Sequence, residues 1–517
     1  MSEVFIKVFL LVVFFSVTVF IGLRFRSKAA DVSGFVLGGR SVGPWLTAFA
    51  YGTSYFSAVV FVGYAGQFGW RFGLSSTWIG LGNALIGSLL PWVILGRRTR
   101  IMTRHLRSAT MPEFFGARYG SKGLKVGASV IIFIFLIPYT ASLYNGLSRL
   151  FAMAFSVDFT VCIAAMAILT GVYVIAGGYF ATAVNDFIQG IIMLVGIVAV
   201  IGAVLSDNGG FAAAIDSLSR AQDMSVSSSP GVFASFFGPD PLNLLGVVIL
   251  TSLGTWGLPQ MVQKFYAIQS EKAIFKGTVI STFFAVVIAG GCYFLGGFGR
   301  LYSGVIDVAA SGYDSVIPTM LSGFSPLLIG VIIVLVLSAS MSTLSSLVIT
   351  SSSTFTLDFL KGNIIKNMNE KKQLLTIRLL IVVFILISAV IAAVQYKSGV
   401  TFIAQLMGIS WGALAGAFLA PFLFGLYLKR SSKAAVCCCF LFSCLFMSAN
   451  ILFRSSFPVL LQSPINAGAF AMLAGFVIMP LVSAIFPAAD TERVEACFSC
   501  YEETVTVKIR QDLGASD

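Results

Sequence analysis

The chain has 517 residues, of which 57% are hydrophobic and 10% charged, and its mean hydropathy is +0.94. That balance excludes a soluble globular protein and points to an all-α polytopic membrane protein. The formal charge of +12 crowds into alternate loops, so it reports topology and not affinity for nucleic acid.

Hydropathy gives about thirteen runs of the ~20 residues that a crossing needs. The first, Val4 to Leu23, has no small-residue cleavage site and is longer than a signal sequence core, so it reads as a retained helix. A basic loop follows (Arg24 to Lys28), then Gly38-Gly-Arg-Ser-Val-Gly-Pro-Trp45. The second helix, Trp45 to Trp70, contains Gly52-Thr-Ser-Tyr-Phe-Ser57, where a continuous helix is weakened. The third, Thr77 to Leu95, carries Asn83 and leads into the most basic loop, Arg97 to Lys125, which holds the single histidine, His105. The fourth runs from Val126 to Phe155, the fifth from Phe159 to Ala176. A Gly177-Gly178 turn opens the sixth, Thr182 to Leu205, which begins with Asn185-Asp186. A Gly-, Ser- and Pro-rich connector spans Ser206 to Pro241. The seventh helix, Asn243 to Tyr266, is interrupted at Leu253-Gly-Thr-Trp-Gly-Leu-Pro259, where Pro259 removes a donor and two glycines weaken the turn before it. The eighth is Gly277 to Gly299, the ninth starts at Pro326, the tenth is Leu374 to Tyr396 and the eleventh Thr401 to Leu428. Lys433 to Phe453 and Ala467 to Phe486 complete the set, ahead of a polar tail containing Cys497 and Cys500.

Basic residues fix the expected orientation. With the N-terminus outside, inner loops hold Arg24, Arg26, Lys28, Arg40, the Arg97–Lys125 cluster, Lys272, Lys276, Lys361, Lys366, Lys371, Lys372, Lys429, Arg430 and Lys433. Outer loops hold about one each. The C-terminal tail is therefore expected in the cytoplasm.

The ninth helix fills with hydroxyls: Ser338, Ser340, Ser342, Thr343, Ser345 and Ser346 fall within nine residues. Lipid cannot hydrogen-bond these groups, so the helix must face protein or water. Ala339, Ser342, Thr343 and Ser346 share one face. Oxygens gathered in this way suit a hard cation such as Na⁺, although Ser and Thr also serve close helix packing. The two interrupted helices, second and seventh, lie an odd number of spans apart and so cross in opposite directions. That is the signature of a five-plus-five inverted repeat with discontinuous helices. Asp186 is a carboxylate at the edge of a span, a functional candidate or a helix-end charge. Arg149 is expected to snorkel to the surface, and Glu113 to be solvated.

Several stretches together resemble the sodium/solute symporter family, and most of all its bacterial sodium/proline branch. They are Phe35 to Trp45 with its GGR, Gly52 to Ser57, Gly177-Gly178 through Asp186 and Gln189, Gly257-Leu-Pro259, and Ser338 to Ser345. The resemblance implies a leucine-transporter-like fold of ten core helices, with one added before and two after. The expected layout is one transporter domain over residues 1–486, with repeats at 45–205 and 243–428, two extra helices at 433–486 and a cytoplasmic tail at 487–517. It implies solute uptake driven by sodium. Carried over, one sodium site comprises the carbonyls of Thr53, Phe56 and Ala339 with the hydroxyls of Ser342 and Thr343. A second, which some members of the family have, comprises Asp186, Ser342, Ser345 and Ser346, which leaves one or two sodium ions per cycle open. The chain departs from the proline branch at Tyr55, where that branch is acidic, and at Thr251 and Thr255, which match an aromatic pair lining its solute pocket.

The expected solute pocket is polar and uncharged: Ser54, Ser57, Asn83, Tyr139, Thr140, Thr251, Thr255 and Gln405, with Trp256 and Phe56 as apolar walls. The solute expected is a small polar one, an amino acid such as proline or a related solute, and a sugar or an organic acid such as sialic acid is the alternative. A transporter-like sensor module is the rival from another class, but the tail is too short for a kinase. No nucleophile–base pair, phosphate loop or metal cluster supports an enzyme. The partners expected are a small solute, sodium ions and the lipid bilayer of the cell membrane, for a chain acting as a monomer.

Overall fold

The computed structural model describes residues 3–502 except 156, 225, 228, 362, 366, 399–402 and 489. Lys366, the start of the eleventh expected helix at Thr401 and the tail beyond residue 502 lie outside the described residues. The described chain is almost wholly helical, with a few isolated bridges such as Val42 to Ile268.

Among the described residues, ten helices are long and apolar enough to cross a membrane, or eleven if the bent pair Pro241–Gly257 and Pro259–Ala267 forms one span. Two of the ten, Val59–His105 with 47 residues and Phe159–Asp207 with 49, are far longer than the ~20 residues a bilayer requires. Each contains a glycine at positive φ, Gly73 at 63° and Gly178 at 59°, a backbone conformation that ends a helix without steric cost. These joints account for most of the gap between the helices counted here and the thirteen hydropathic runs. The short helix Pro44–Tyr55 falls below the length of a span by itself.

Burial sorts the helices into centre and periphery. In the apolar windows of Pro326–Leu360 and Ile403–Tyr427, 78% and 89% of residues are buried; in Phe5–Arg24 and Glu370–Lys397 the figures are 22% and 33%. The hydroxyl-rich helix Pro326–Thr354 starts from a Ser325 cap with Pro326 in its first turn. It packs against Phe159–Asp207, Lys122–Phe155 and Pro44–Tyr55. The lipid-facing helices carry exposed Leu, Val and Phe, as their hydrocarbon surroundings demand.

Both breaks fall where the sequence weakens the helix. The first comes at Phe56, whose backbone is extended (φ −98°, ψ 115°). The second comes at Leu258 (φ −76°, ψ 123°), between segments bent by 44°. Beside the second break, helix Ile403–Tyr427 approaches so closely that a Cβ on Gly257 would lie 2.7 Å from the Leu419 nitrogen and 2.9 Å from the Ala415 Cα.

Four local expectations are corrected. The connector after Ser206 contains a helix, Phe211–Arg220, with Ala214 and Leu218 buried. The tail contains another, Thr491–Phe498, with Val494, Cys497 and Phe498 buried. Arg149 does not snorkel freely: it lies 3.7 Å from buried Asp314. Glu113 is not merely solvated, since it accepts from the Ala109 N–H at 2.7 Å while the Thr110 hydroxyl caps the Glu113 N–H at 3.2 Å.

The contact at Gly257 is between backbones and cannot be relieved by a rotamer change. Gly257→Ala is expected to cost about 1–3 kcal/mol, read as a lowered unfolding midpoint in detergent. Gly202→Ala, with nothing within 4 Å of its Cβ, is expected to leave the midpoint unchanged.

Candidate cation and solute site

The hydroxyl-rich helix stitches the first break closed. Thr343 Oγ1 lies 3.1 Å from the Thr53 carbonyl and 3.0 Å from the Ala339 carbonyl, so its one proton is shared between them. Ser342 donates to Thr53 Oγ1 at 2.6 Å, and Thr53 in turn to the Phe49 carbonyl at 2.8 Å. The Ala58 N–H, just past the break, donates to Ser340 Oγ at 3.1 Å. Thr53, Ala339, Ser342 and Thr343 are thus brought together by direct bonds, and Phe56 sits in the break between Thr53 and Ala58. All five are buried. Carbonyl and hydroxyl oxygens in this arrangement are hard donors of the kind that a sodium ion takes.

One turn further along, the second set meets a residue that sequence reasoning missed. Lys264, on the helix after the second break, is 3% exposed and its Nζ donates to Ser346 Oγ at 2.9 Å. Ser346 also exchanges a hydrogen bond with Ser54 at 2.8 Å, so Ser54 faces this level. Ser345 turns onto its own helix, donating to the Ser342 carbonyl at 2.8 Å. Asp186 is buried and neither of its oxygens has a hydrogen-bond partner. Lys264 and the Ser342 hydroxyl are the groups that act on it electrostatically. The only sequence signal for Lys264 was a cation inside a predicted span, just beyond a break.

The expected solute residues divide into two groups. Thr255 Oγ1 lies 2.8 Å from the Gly87 carbonyl and 3.0 Å from the Ser252 carbonyl and shares its one proton between them, and Trp256 Nε1 donates to the Ile86 carbonyl at 2.8 Å. Asn83 accepts from Ser252 at 3.2 Å. These side chains pin the second broken helix to the third span. Thr251 and Thr140 bond back to the Val247 and Leu136 carbonyls of their own helices, and Gln405 is half-buried. Ser57 and Tyr139 behave differently. Buried Tyr139 has an unpartnered hydroxyl and its ring lies 5.8 Å from that of Trp411, whose Nε1 is likewise unpartnered. Ser57 and Trp411 are the polar neighbours of that hydroxyl. Tyr55 stacks on Trp411 at 5.6 Å and donates to the Thr251 carbonyl at 2.5 Å. Trp411 was not singled out from the sequence; a tryptophan within a span looks like packing.

Ionic clasps close both ends. On one side Lys125 lies 3.2 Å from buried Asp358, which also accepts from Thr110 at 2.6 Å, and Arg40 donates to the Ser108 carbonyl at 2.6 Å. On the other side Asp314 joins Arg149 to the Ile403 N–H, which it accepts at 3.2 Å. Burial pushes the Asp314 carboxyl above its ordinary range, against the pull of Arg149.

Two interrupted helices, facing a hydroxyl-lined helix across a core closed by ionic clasps, define a secondary transporter. The chain belongs to the sodium:solute symporter family, whose family model matches residues 35–439. It is 30% identical over 434 residues to sodium/proline symporter 2 of Staphylococcus saprophyticus subsp. saprophyticus, and 29% identical over 434 residues to a sodium/proline symporter of Staphylococcus aureus. Each match covers 82% of both chains. The fold is similar to that of a Na⁺-coupled sialic acid symporter in a substrate-bound outward-open state, with a TM-score of 0.74 and 16% identity over 93% of this chain and 98% of that one. The leucine-transporter-like fold expected from the sequence is therefore present. As a member of that family, the protein is a multi-pass sodium-coupled solute symporter and not an enzyme, with Na⁺ as its coupling ion.

Lys125→Met would strand the Asp358 carboxylate without its cation. The expected loss is about 3 kcal/mol of stability, recovered in large part when Asp358→Asn is added. A double-mutant cycle on thermal unfolding in detergent measures it, and additive losses would show that the two side chains do not interact.

Proposed function

We propose that the protein imports a small zwitterionic amino acid of the proline type, together with sodium, across the cell membrane by alternating access. The observation that carries this reading is the bond from Thr343 to the Thr53 carbonyl beside a break at Phe56. The carbonyls of Thr53, Phe56 and Ala339 and the hydroxyls of Ser342 and Thr343 form the sodium site. Arrival of the ion replaces hydroxyl–hydroxyl bonds by ion contacts and orders the break, which presents Ser57 to the solute. The helices then rock between the two clasps.

Solute class follows from unsatisfied donors. An indole N–H can only donate, and a buried phenol without a partner is costly. Trp411 Nε1 and Tyr139 Oη together fit a carboxylate, while helix-end carbonyls at the breaks suit an ammonium. The similar sodium/proline symporters favour proline within this class. The chain works as a monomer with thirteen crossings, its N-terminus outside and its tail in the cytoplasm. Residues 45–205 and 243–428 form the two repeats within a domain of residues 1–486, and 433–486 form the two added helices. The bilayer in question is the plasma membrane.

Purified protein in liposomes, given an inward sodium gradient, is expected to accumulate labelled L-proline in preference to sugars and to sialic acid. Ser342→Ala or Thr343→Ala is expected to raise the half-saturating sodium concentration by about ten- to a hundredfold. Uptake indifferent to sodium would sink the reading; sodium-driven uptake of a sugar would move the solute class alone.

Tyr139→Phe removes one proposed carboxylate donor and keeps the ring. The KM for L-proline is expected to rise about tenfold with sodium activation unchanged. An unaltered KM would remove Tyr139 from the pocket.

A further inference from the structure

The second oxygen cluster holds a buried lysine. Lys264 and Asp186, each almost fully buried, both lie beside the Ser342–Ser346 turn of the hydroxyl-rich helix. Lys264 comes from the segment after the second break, Asp186 from the helix after the Gly178 joint. The lysine Nζ is bonded to Ser346 Oγ at 2.9 Å and lies 5.0 Å from the centre of the Tyr179 ring. A hydroxyl has one proton and two lone pairs. Ser346 spends one lone pair on Lys264 and a further position on Ser54. Ser345 is turned to the Ser342 carbonyl. Of the four side chains that would make up a second sodium site, two are thus already engaged and a third, Ser342, is bonded to Thr53. Asp186, with both oxygens free of hydrogen bonds, supplies the negative charge that keeps a buried ammonium tolerable.

We propose that the Lys264 ammonium is the resident cation of this cluster, standing where a second sodium would bind, so that the symporter takes up a single sodium per cycle. The inference rests on the sodium site of the proposed function and deepens it. A sodium ion added about 4 Å from a fixed ammonium, in an environment of intermediate dielectric, meets repulsion equivalent to roughly a thousandfold loss of affinity. The ammonium brings what a coordinated ion would bring: a positive charge for Asp186 and a bond to Ser346. It differs in being covalently part of the segment beyond Leu258. The cluster therefore ties the second broken helix to the hydroxyl-rich helix permanently, and only the Thr53–Thr343 level exchanges its ion with solution.

The test counts sodium directly. Binding of ²²Na⁺ to the purified full chain in detergent is measured to saturation for the wild type, Lys264→Met, Lys264→Arg and Lys264→Met combined with Asp186→Asn. The wild type is expected to bind a single sodium with a Hill coefficient near unity. Lys264→Met is expected to bind a second, with a Hill coefficient above unity, and Lys264→Arg to return to a single ion. The double variant, lacking both charges, is also expected to return to a single ion. Two sodium ions on the wild type, or a single ion of unchanged affinity on a folded Lys264→Met, would overturn the inference. No sodium on the wild type would instead overturn the sodium site itself. The wild-type count stands even if a variant fails to fold.

Discussion

A polypeptide inside hydrocarbon cannot leave its amides and carbonyls unpaired, and everything at this site follows from that constraint. Interrupting a helix at Phe56 and at Leu258 frees backbone groups on both sides of each break. At the first break the hydroxyl-rich helix supplies the missing partners: Thr343 reaches the Thr53 carbonyl and Ser340 receives the Ala58 N–H. The same oxygens are hard donors for an ion. With the proposed sodium site, a broken helix would alternate between two satisfied states, one closed by hydroxyls and one by a cation, without passing through a state of exposed polar groups. Such an exchange would make coupling inexpensive, because the ion is asked only to shift an equilibrium between two well-paired arrangements.

The scaffold that frames the exchange is tight. Beside the second break, Gly254 and Gly257 let the Ile403–Tyr427 helix lie against the chain; a Cβ on Gly254 would sit 2.4 Å from Trp411 Cε3. Trp411 is thereby held by backbone on one side and by Tyr55 and Tyr139 on others. Thr255 and Trp256 lock the break to the third span through the carbonyls of Gly87 and Ile86. Rigid packing at the midplane and ionic clasps at the two ends suit a molecule whose halves rock as bodies. Lys125–Asp358 and Arg149–Asp314 are the contacts that such a motion would open in turn.

Much of this was legible in the sequence because breaks are written in glycine and proline. The Gly52–Ser57 and Leu253–Pro259 stretches located both interruptions within a few residues, and the hydroxyl run named the helix opposite. What the sequence concealed was the direction in which side chains turn. Thr255, Trp256 and Asn83 have the chemistry of solute ligands, yet their hydrogen bonds go to neighbouring helices, since a polar group in lipid takes the partner nearest to it. Lys264 and Asp186 are 78 positions apart by their numbers, and no periodicity links them. Arg149 and Asp314 were invisible as a pair for the same reason. Helix counts diverge where a joint is short: the turns at Gly73 and Gly178, which the sequence separates, lie within continuous helical runs of 47 and 49 residues.

Charge balance at the midplane joins the two levels of the hydroxyl-rich helix. If the Lys264 ammonium is the resident cation, it offsets the Asp186 carboxylate and leaves the second level neutral. A sodium at the first level then adds one positive charge, and a zwitterionic solute adds none. With Lys264 as the resident cation, the membrane potential acts on that single charge, about 2.3 kcal/mol for each 100 mV. A carrier binding two sodium ions would draw twice as much from the same potential. A lysine on the segment beyond Leu258 would thus exchange concentrating power for a lower sodium requirement, while its bond to Ser346 holds that segment against the hydroxyl-rich helix.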